Sequence, residues 1–187
     1  MCIRDSANDI GAMLDFSLGH DVACSIRYPK LGAIEIEREL HPIKLCKSET
    51  LREGTDGVIV CAGIQLVDCL AAAEQLAESG LNVGVVNARF VKPIDRDMVR
   101  DAIENHGFVV TVEEAMLQGG FGSAFLEAAN DMGLDARKVT RIGIPDLFVP
   151  HGDRPGLLAD LKLDTKGIVE TCMSAVAANE QASKVQS

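Results

Sequence analysis

Residues 108–124, FVVTVEEAMLQGGFGSA, constrain the fold more than any other stretch of this chain. Residues 108–112 are β-branched and hydrophobic with almost no polar interruption, which suits a strand covered on both faces of a parallel sheet. Such a strand is expected at the centre of its sheet. Glu113 and Glu114 mark where the chain leaves the core. Gly119, Gly120 and Gly122 permit backbone conformations and close approaches closed to other residues, and from about Gly120 the pattern reads as a helix running towards Met132. Strand, short loop and glycine-opened helix make half of a βαβ unit.

The same alternation begins at Gly57. Residues 58–62 (VIVCA) read as a strand, residues 67–79 as an Ala- and Leu-rich amphipathic helix closed by Gly80, and residues 81–87 as a second strand. Pro93 suits a helix entry, so residues 95–105 form the next helix and Gly107 stops it. Residues 139–142 give a fourth strand and residues 168–178 a closing helix. Strands alternating with helices predict an α/β fold, an open, largely parallel, doubly wound sheet with helices on both faces. The domain spans residues 57–182, and the polar residues 183–187 form a frayed tail.

The chain before residue 57 is different in character. Residues 1–6 continue no periodic pattern and are set aside as a non-native leader. Ile10, Met13, Leu14 and Leu18 stand at helical spacing, with Asn8 or Asp9 available as a cap. Residues 22–28 (VACSIRY) read as a strand ended by Pro29. One helix and one strand bury too little apolar surface to offset their ordering entropy, so residues 7–45 are not a domain by themselves. They read as loosely held. Residues 30–56 mix charges, a proline and glycines and read as a linker with a strand or two, residues 33–36 being extended, and the inter-domain connection falls at residues 46–56.

At 187 residues and 47% hydrophobic content, the chain has ample material for a packed core. It contains no apolar run near the roughly 20 residues that a membrane helix needs, and a formal charge of −10 argues against binding to a nucleic-acid backbone. No nucleic-acid and no membrane partner is expected, and the reading is a cytoplasmic protein. Six cysteines without a CxxC pair suggest reduced thiols, neither a zinc site nor a disulfide framework.

The candidate motifs each leave alternatives open. The glycines of GGFGS can form an anion nest at a helix N-terminus or a close packing contact. Their spacing is neither GxGxxG nor a P-loop. Glu113 and Glu114 sit where a parallel strand delivers its C-terminal end, as a solvated or interface pair or as an acid and base. Arg27, beside Tyr28 and Lys30, is a phosphate ligand or a surface ion pair. Arg89 and Lys92 flank Phe90 and can cap a neighbouring element or form ion pairs. His151 stands on a loop with Asp146 and Asp153; His20, His41 and His106 have no evident partner in the sequence. No catalytic constellation, cofactor-binding motif or metal-ligand cluster emerges.

Taken together, SIRYPK (25–30), NARFVKPID (87–95), TVEEAMLQGGFGSA (111–124), IGIPDLFVPHG (142–152) and LDTKGI (163–168) resemble the 1-deoxy-D-xylulose-5-phosphate synthases, transketolase-like enzymes dependent on thiamine diphosphate. The resemblance covers nearly everything after residue 7. It implies condensation of pyruvate, with loss of carbon dioxide, onto glyceraldehyde 3-phosphate for isoprenoid, thiamine and pyridoxal phosphate synthesis, in a homodimer. It makes residues 7–45 the tail of a pyrimidine-binding middle domain and residues 57–182 a transketolase-like C-terminal domain. Thiamine diphosphate and Mg2+ belong to residues absent from this chain, which alone is expected to be inactive. Arg27 is the residue carried over, as a ligand for the phosphate of the aldehyde substrate. Lys30, Leu31 and Gly32 stand where the family often reads Arg-Gly. Two rival readings are a β-subunit-like piece of a 2-oxoacid dehydrogenase, which gives no reason for FVKPID and PHG, and a non-enzymatic α/β module binding an anion at residues 119–123.

Overall fold

The computed structural model describes residues 2–3, 9–28, 35–39 and 41–185. Strands β1 (Cys2–Ile3) and β2 (Ile26–Arg27) flank helix α1 (Asp9–Leu18) in sequence and pair in parallel. Strands β3 (Glu49–Arg52), β4 (Gly57–Ala62), β5 (Val83–Asn87), β6 (Phe108–Met116) and β7 (Val139–Ile144) form one sheet in the order β3-β5-β4-β6-β7. Only the β3–β5 pairing in it is antiparallel. Between and after them run helices α2 (Leu66–Glu78), α3 (Arg96–Asn105), α4 (Phe121–Asp131), α5 (Arg154–Asp160) and α6 (Thr165–Val185).

The sheet is covered on both sides because both sets of alternating side chains are apolar. From β4, Ile59 and Cys61 pack with Leu66, Leu76, Ile168 and Cys172 of α2 and α6. Val58 and Val60 face the other way, onto Val99 and Ile103 of α3 and Phe121 and Phe125 of α4. Each such fully buried side chain contributes about 1.5–3 kcal/mol relative to exposure. This is the doubly wound parallel architecture that the alternating pattern implies.

Several details differ from the sequence reading. Strand β6 is interior, but the middle place belongs to β4. It does not end at Val112: it runs on to Met116, with its pairing to β7 interrupted between Val112 and Met116. Pro93 is not the helix entry; it follows a cis Lys92–Pro93 bond, and α3 starts at Arg96 because Asp95 caps it, accepting from the Asp97 and Met98 amides at 3.2 and 3.3 Å. The same carboxylate accepts from the amide and hydroxyl of Ser48, at 2.8 and 2.9 Å, and so ties the lead-in to β3 onto α3.

The stretch read as a linker thus supplies an edge strand. Residues 22–28 shrink to the two-residue β2, whose partner β1 lies in the segment that the sequence reading sets aside. Helix α5 is absent from that reading, and α6 begins earlier and extends into the expected tail. Pro29 to Gly32 and residues 33–34 lie outside the described residues. Helix α1 is anchored: its Met13 is fully buried against Phe90. No described helix is long and apolar enough to cross a membrane.

Candidate phosphate site at the sheet's C-terminal end

Strand β6 delivers Glu113 and Glu114 to the end of the sheet, and the two carboxylates take opposite roles. Glu113 is 2% exposed. Its Oε2 accepts from the Phe121 amide at 2.6 Å and its Oε1 from the Gly122 amide at 2.8 Å. Those are orphan donors of the first turn of α4, where the helix dipole also favours a negative charge. Burial pushes the Glu113 carboxyl above the usual carboxylate range, an effect that the two amides, Arg141 and Arg27 only partly offset.

Glu114 faces the other side. Its carboxylate accepts from Arg154 Nη2 at 2.6 Å, Arg154 Nε at 3.2 Å and Gln65 Nε2 at 3.0 Å. Burial pushes this carboxyl up, but the bonds from Arg154 and Gln65 outweigh it and leave it below its ordinary value.

The glycines are shaped by these contacts. A Cβ on Gly120 would lie 2.2 Å from the Met116 carbonyl oxygen and 2.3 Å from Glu113 Oε2. On Gly122 it would lie 2.8 Å from both Thr111 Oγ1 and Arg141 Cδ. The Gly119 amide donates to Ser123 Oγ at 3.1 Å, and that hydroxyl donates to the Leu117 carbonyl at 2.7 Å. Of the two roles open to GGFGS, close packing is therefore the one realised. Glu113 occupies the Phe121 and Gly122 amides and Ser123 Oγ takes that of Gly119, so three of the five amides over residues 119–123 are already engaged within the chain.

Arg27 lies exposed at the mouth of a cavity of about 210 Å³ whose walls include Val91, Glu113, Gly119, Gly120 and Phe121. Its Nη2 donates to the Glu114 carbonyl at 2.6 Å. A guanidinium carries five donors, so one bond to a carbonyl orients it without using it up. The cavity is walled by the last residues of β6, the glycine loop after it and Val91 beyond β5, so it lies at the carboxyl end of the parallel strands, the end at which open α/β sheets place ligands.

Arg89, His20 and His106 have structural partners. Arg89 is 3% exposed and carries a positive φ of 53°. Its Nη2 lies 2.9 Å from Glu49 Oε2 and 3.5 Å from Asp9 Oδ1. Arg38 completes a buried quartet, with Nη2 at 2.5 Å from Asp9 Oδ2 and 3.1 Å from Glu49 Oε2. His20 Nδ1 lies 2.9 Å from the Phe16 carbonyl. His106 Nδ1 lies 3.3 Å from the Asp101 carbonyl. His151 is exposed on the loop before α5, and its neighbour Asp153 caps that helix through the Gly156 amide at 3.1 Å. Cys61, Cys69 and Cys172 are buried thiols, with burial pushing Cys172 up to about 12. Among the described residues, no three His, Cys, Asp or Glu side chains are grouped to hold a metal ion.

The sequence reading did not assign the quartet or the Glu113 cap. A glutamate ending an otherwise apolar, doubly covered strand is the signal that points to the cap, since a buried carboxylate needs donors and a helix start eight residues on provides them.

Residues 46–168 match the family model of the transketolase C-terminal domain. The chain is 50% identical over 179 residues to the 1-deoxy-D-xylulose-5-phosphate synthase of Rhodopirellula baltica, covering 96% of this chain and 28% of that protein. It is 44% identical over 174 residues to 1-deoxy-D-xylulose-5-phosphate synthase 1 of Geobacter sulfurreducens, covering 91% of this chain and 27% of that one. It thus spans little more than a quarter of the length of these relatives. Among solved structures, a split-gene transketolase in the form of an inactive beta4 tetramer superposes with a TM-score of 0.85 at 26% identity, over 94% of this chain and 57% of that one. The chain belongs to the transketolase C-terminal domain family, and its relatives are 1-deoxy-D-xylulose-5-phosphate synthases.

Proposed function

We propose that this chain is the C-terminal part of a 1-deoxy-D-xylulose-5-phosphate synthase, which decarboxylates pyruvate and joins the remaining two carbons to glyceraldehyde 3-phosphate. The observation that carries this reading is Arg27, oriented by the Glu114 carbonyl at the mouth of a cavity walled by the end of β6 and the glycine loop after it. Its role is to hold the phosphate of the aldehyde substrate by a charge-assisted fork.

In this reading thiamine diphosphate and Mg2+ are held by residues outside the chain, and the cofactor, when bound, supplies the electron sink for decarboxylation. The residues described above bind and orient; none holds a proton for the reaction. Residues 7–45 are then the tail of the pyrimidine-binding domain. Residues 57–182 are the C-terminal domain, to which the connection at 46–56 adds the edge strand β3. The whole enzyme is a cytoplasmic homodimer that feeds isoprenoid, thiamine and pyridoxal phosphate synthesis. Self-association of this part alone is consistent with the split-gene transketolase, whose similar chain assembles as an inactive tetramer.

The test is a graft. This chain replaces the matching segment of the Rhodopirellula baltica relative, and turnover of pyruvate with glyceraldehyde 3-phosphate is measured beside the ungrafted chain. Turnover by the graft and none by the chain alone is expected. A folded graft without turnover, or product from the chain alone, contradicts the reading.

A further inference from the structure

Three consecutive residues after β5 do three different things around the segment that carries Arg27. Arg89 enters the buried quartet with Asp9, Arg38 and Glu49, whose side chains are 3–9% exposed. Phe90, 1% exposed, seats Met13 and Phe16 of α1 and Ile26, the residue before Arg27. The Phe16 and Phe90 rings meet edge to face with centroids 5.7 Å apart. Val91 then forms part of the wall of the Arg27 cavity.

The left-handed backbone of Arg89 lets successive side chains be buried in different directions, and the Asn87 side-chain oxygen fixes the turn by accepting the Arg89 amide at 3.0 Å. In the sequence Arg27 stands between Asp9 and Arg38, so the quartet grips its segment on both sides. A buried ion network adds little net stability over a well-packed apolar one, and its best attested use is to specify one arrangement. Here that arrangement is the seating of the α1–β2 segment on the sheet.

We propose that Arg89 and Phe90 are positioning residues for Arg27: they dock the segment carrying it, so that its guanidinium meets the Glu114 carbonyl at the cavity mouth. This rests on the reading of Arg27 as the ligand of the substrate phosphate. An exposed arginine on a two-residue strand has no rigid element of its own, and the docked segment supplies one. A misplacement of about 1 Å is enough to weaken a bidentate contact severely.

The experiment is a titration of glyceraldehyde 3-phosphate into the full 187-residue chain, followed by the amide shifts of Arg27, Val91, Gly119 and Gly120, with glyceraldehyde as the control. The variants are Arg27→Met, Arg89→Met, Arg89→Lys and Phe90→Leu, each checked for unchanged amide protection in β4 to β7. The parent chain binds saturably, Arg27→Met abolishes binding, and Arg89→Met weakens it on the order of tenfold, within the range of coupling between contacting networks. Arg89→Lys restores part of that loss, and Phe90→Leu weakens binding in the same direction.

Loss with Arg27→Met but parent-like binding in folded Arg89→Met and Phe90→Leu overturns the positioning role and leaves the Arg27 reading standing. If Arg89→Met fails to fold, Phe90→Leu decides alone. Parent-like binding by Arg27→Met, or no binding by the parent, overturns both.

Discussion

The carboxylate of Glu113 lies 2.6 Å from the amide of Phe121 and closes the first turn of α4 from the end of β6. The contact ties the carboxyl end of the sheet to the glycine loop that walls the Arg27 cavity. Replacing it should therefore loosen that end first. Glu113→Gln keeps one acceptor oxygen and turns an amide donor towards a backbone N–H. It is expected to cost about 2–3 kcal/mol, the scale of a lost charge-assisted bond plus an unsatisfied buried donor. Urea unfolding with an unchanged slope measures it; a midpoint equal to that of the parent contradicts the capping role.

The adjacent carboxylates should titrate in opposite senses. Burial raises Glu113, so its ionised form carries a stability cost above the raised folded value that vanishes below the ordinary carboxylate range. Glu114 ends below its ordinary value: burial raises it, and Arg154 and Gln65 more than compensate. Its stabilising contribution is present above the ordinary value and fades as pH falls through the depressed one. Carbon-detected NMR of the side-chain carboxyls is expected to place the Glu113 midpoint above that of a free glutamate and the Glu114 midpoint below it. The reverse order would refute the assignment of roles.

Gly120→Ala brings a methyl group within 2.2 Å of the Met116 carbonyl, a backbone atom that cannot step aside cheaply. A loss of about 1–3 kcal/mol is expected from this overpacking. Thermal unfolding checks it, and an alanine variant as stable as the parent would show that the loop is not packed as described.

Asp9→Asn removes one charge from the quartet and leaves Arg38 and Arg89 sharing Glu49. Breaking a buried pair costs about 3–5 kcal/mol where the partner is stranded, and less where another carboxylate remains, as here. The expected readout is local: faster amide exchange in α1, with β4 to β7 unchanged. Uniform acceleration over the whole chain would contradict the view that the quartet docks α1 onto the sheet.

How much of this was legible in the sequence follows from range. The strands and helices after Gly57 were readable because burial on both faces leaves continuous apolar runs such as 58–62, bounded by glycines. Helix α3 was readable, though its start came from Asp95 rather than Pro93, since a side-chain cap outranks a proline that lies outside the helix. A strand or two is expected within residues 30–56, but the position of β3 was hidden because ETLR at a sheet edge is half-exposed and carries two charges. Glu49 is buried only because Arg38 and Arg89, 11 and 40 residues away in sequence, reach it. Glu113 likewise looked like a surface pair with Glu114 until the turn of β6 into α4 brought the Phe121 and Gly122 amides onto it. Local patterns gave the elements; pairings across the chain, which decide every role in the site, have no periodic signature.

The central claim is that Arg27 serves the phosphate of the aldehyde substrate within a synthase completed by other residues. It is tested most directly in the graft onto the Rhodopirellula baltica relative, by comparing parent and Arg27→Met graft for each substrate in turn. The expected result is a KM for glyceraldehyde 3-phosphate raised by about tenfold or more, from the loss of a bidentate charge-assisted contact worth about 1.5–3 kcal/mol, with the KM for pyruvate unchanged. Equal KM values for glyceraldehyde 3-phosphate in the two grafts, or a rise confined to pyruvate, would contradict it.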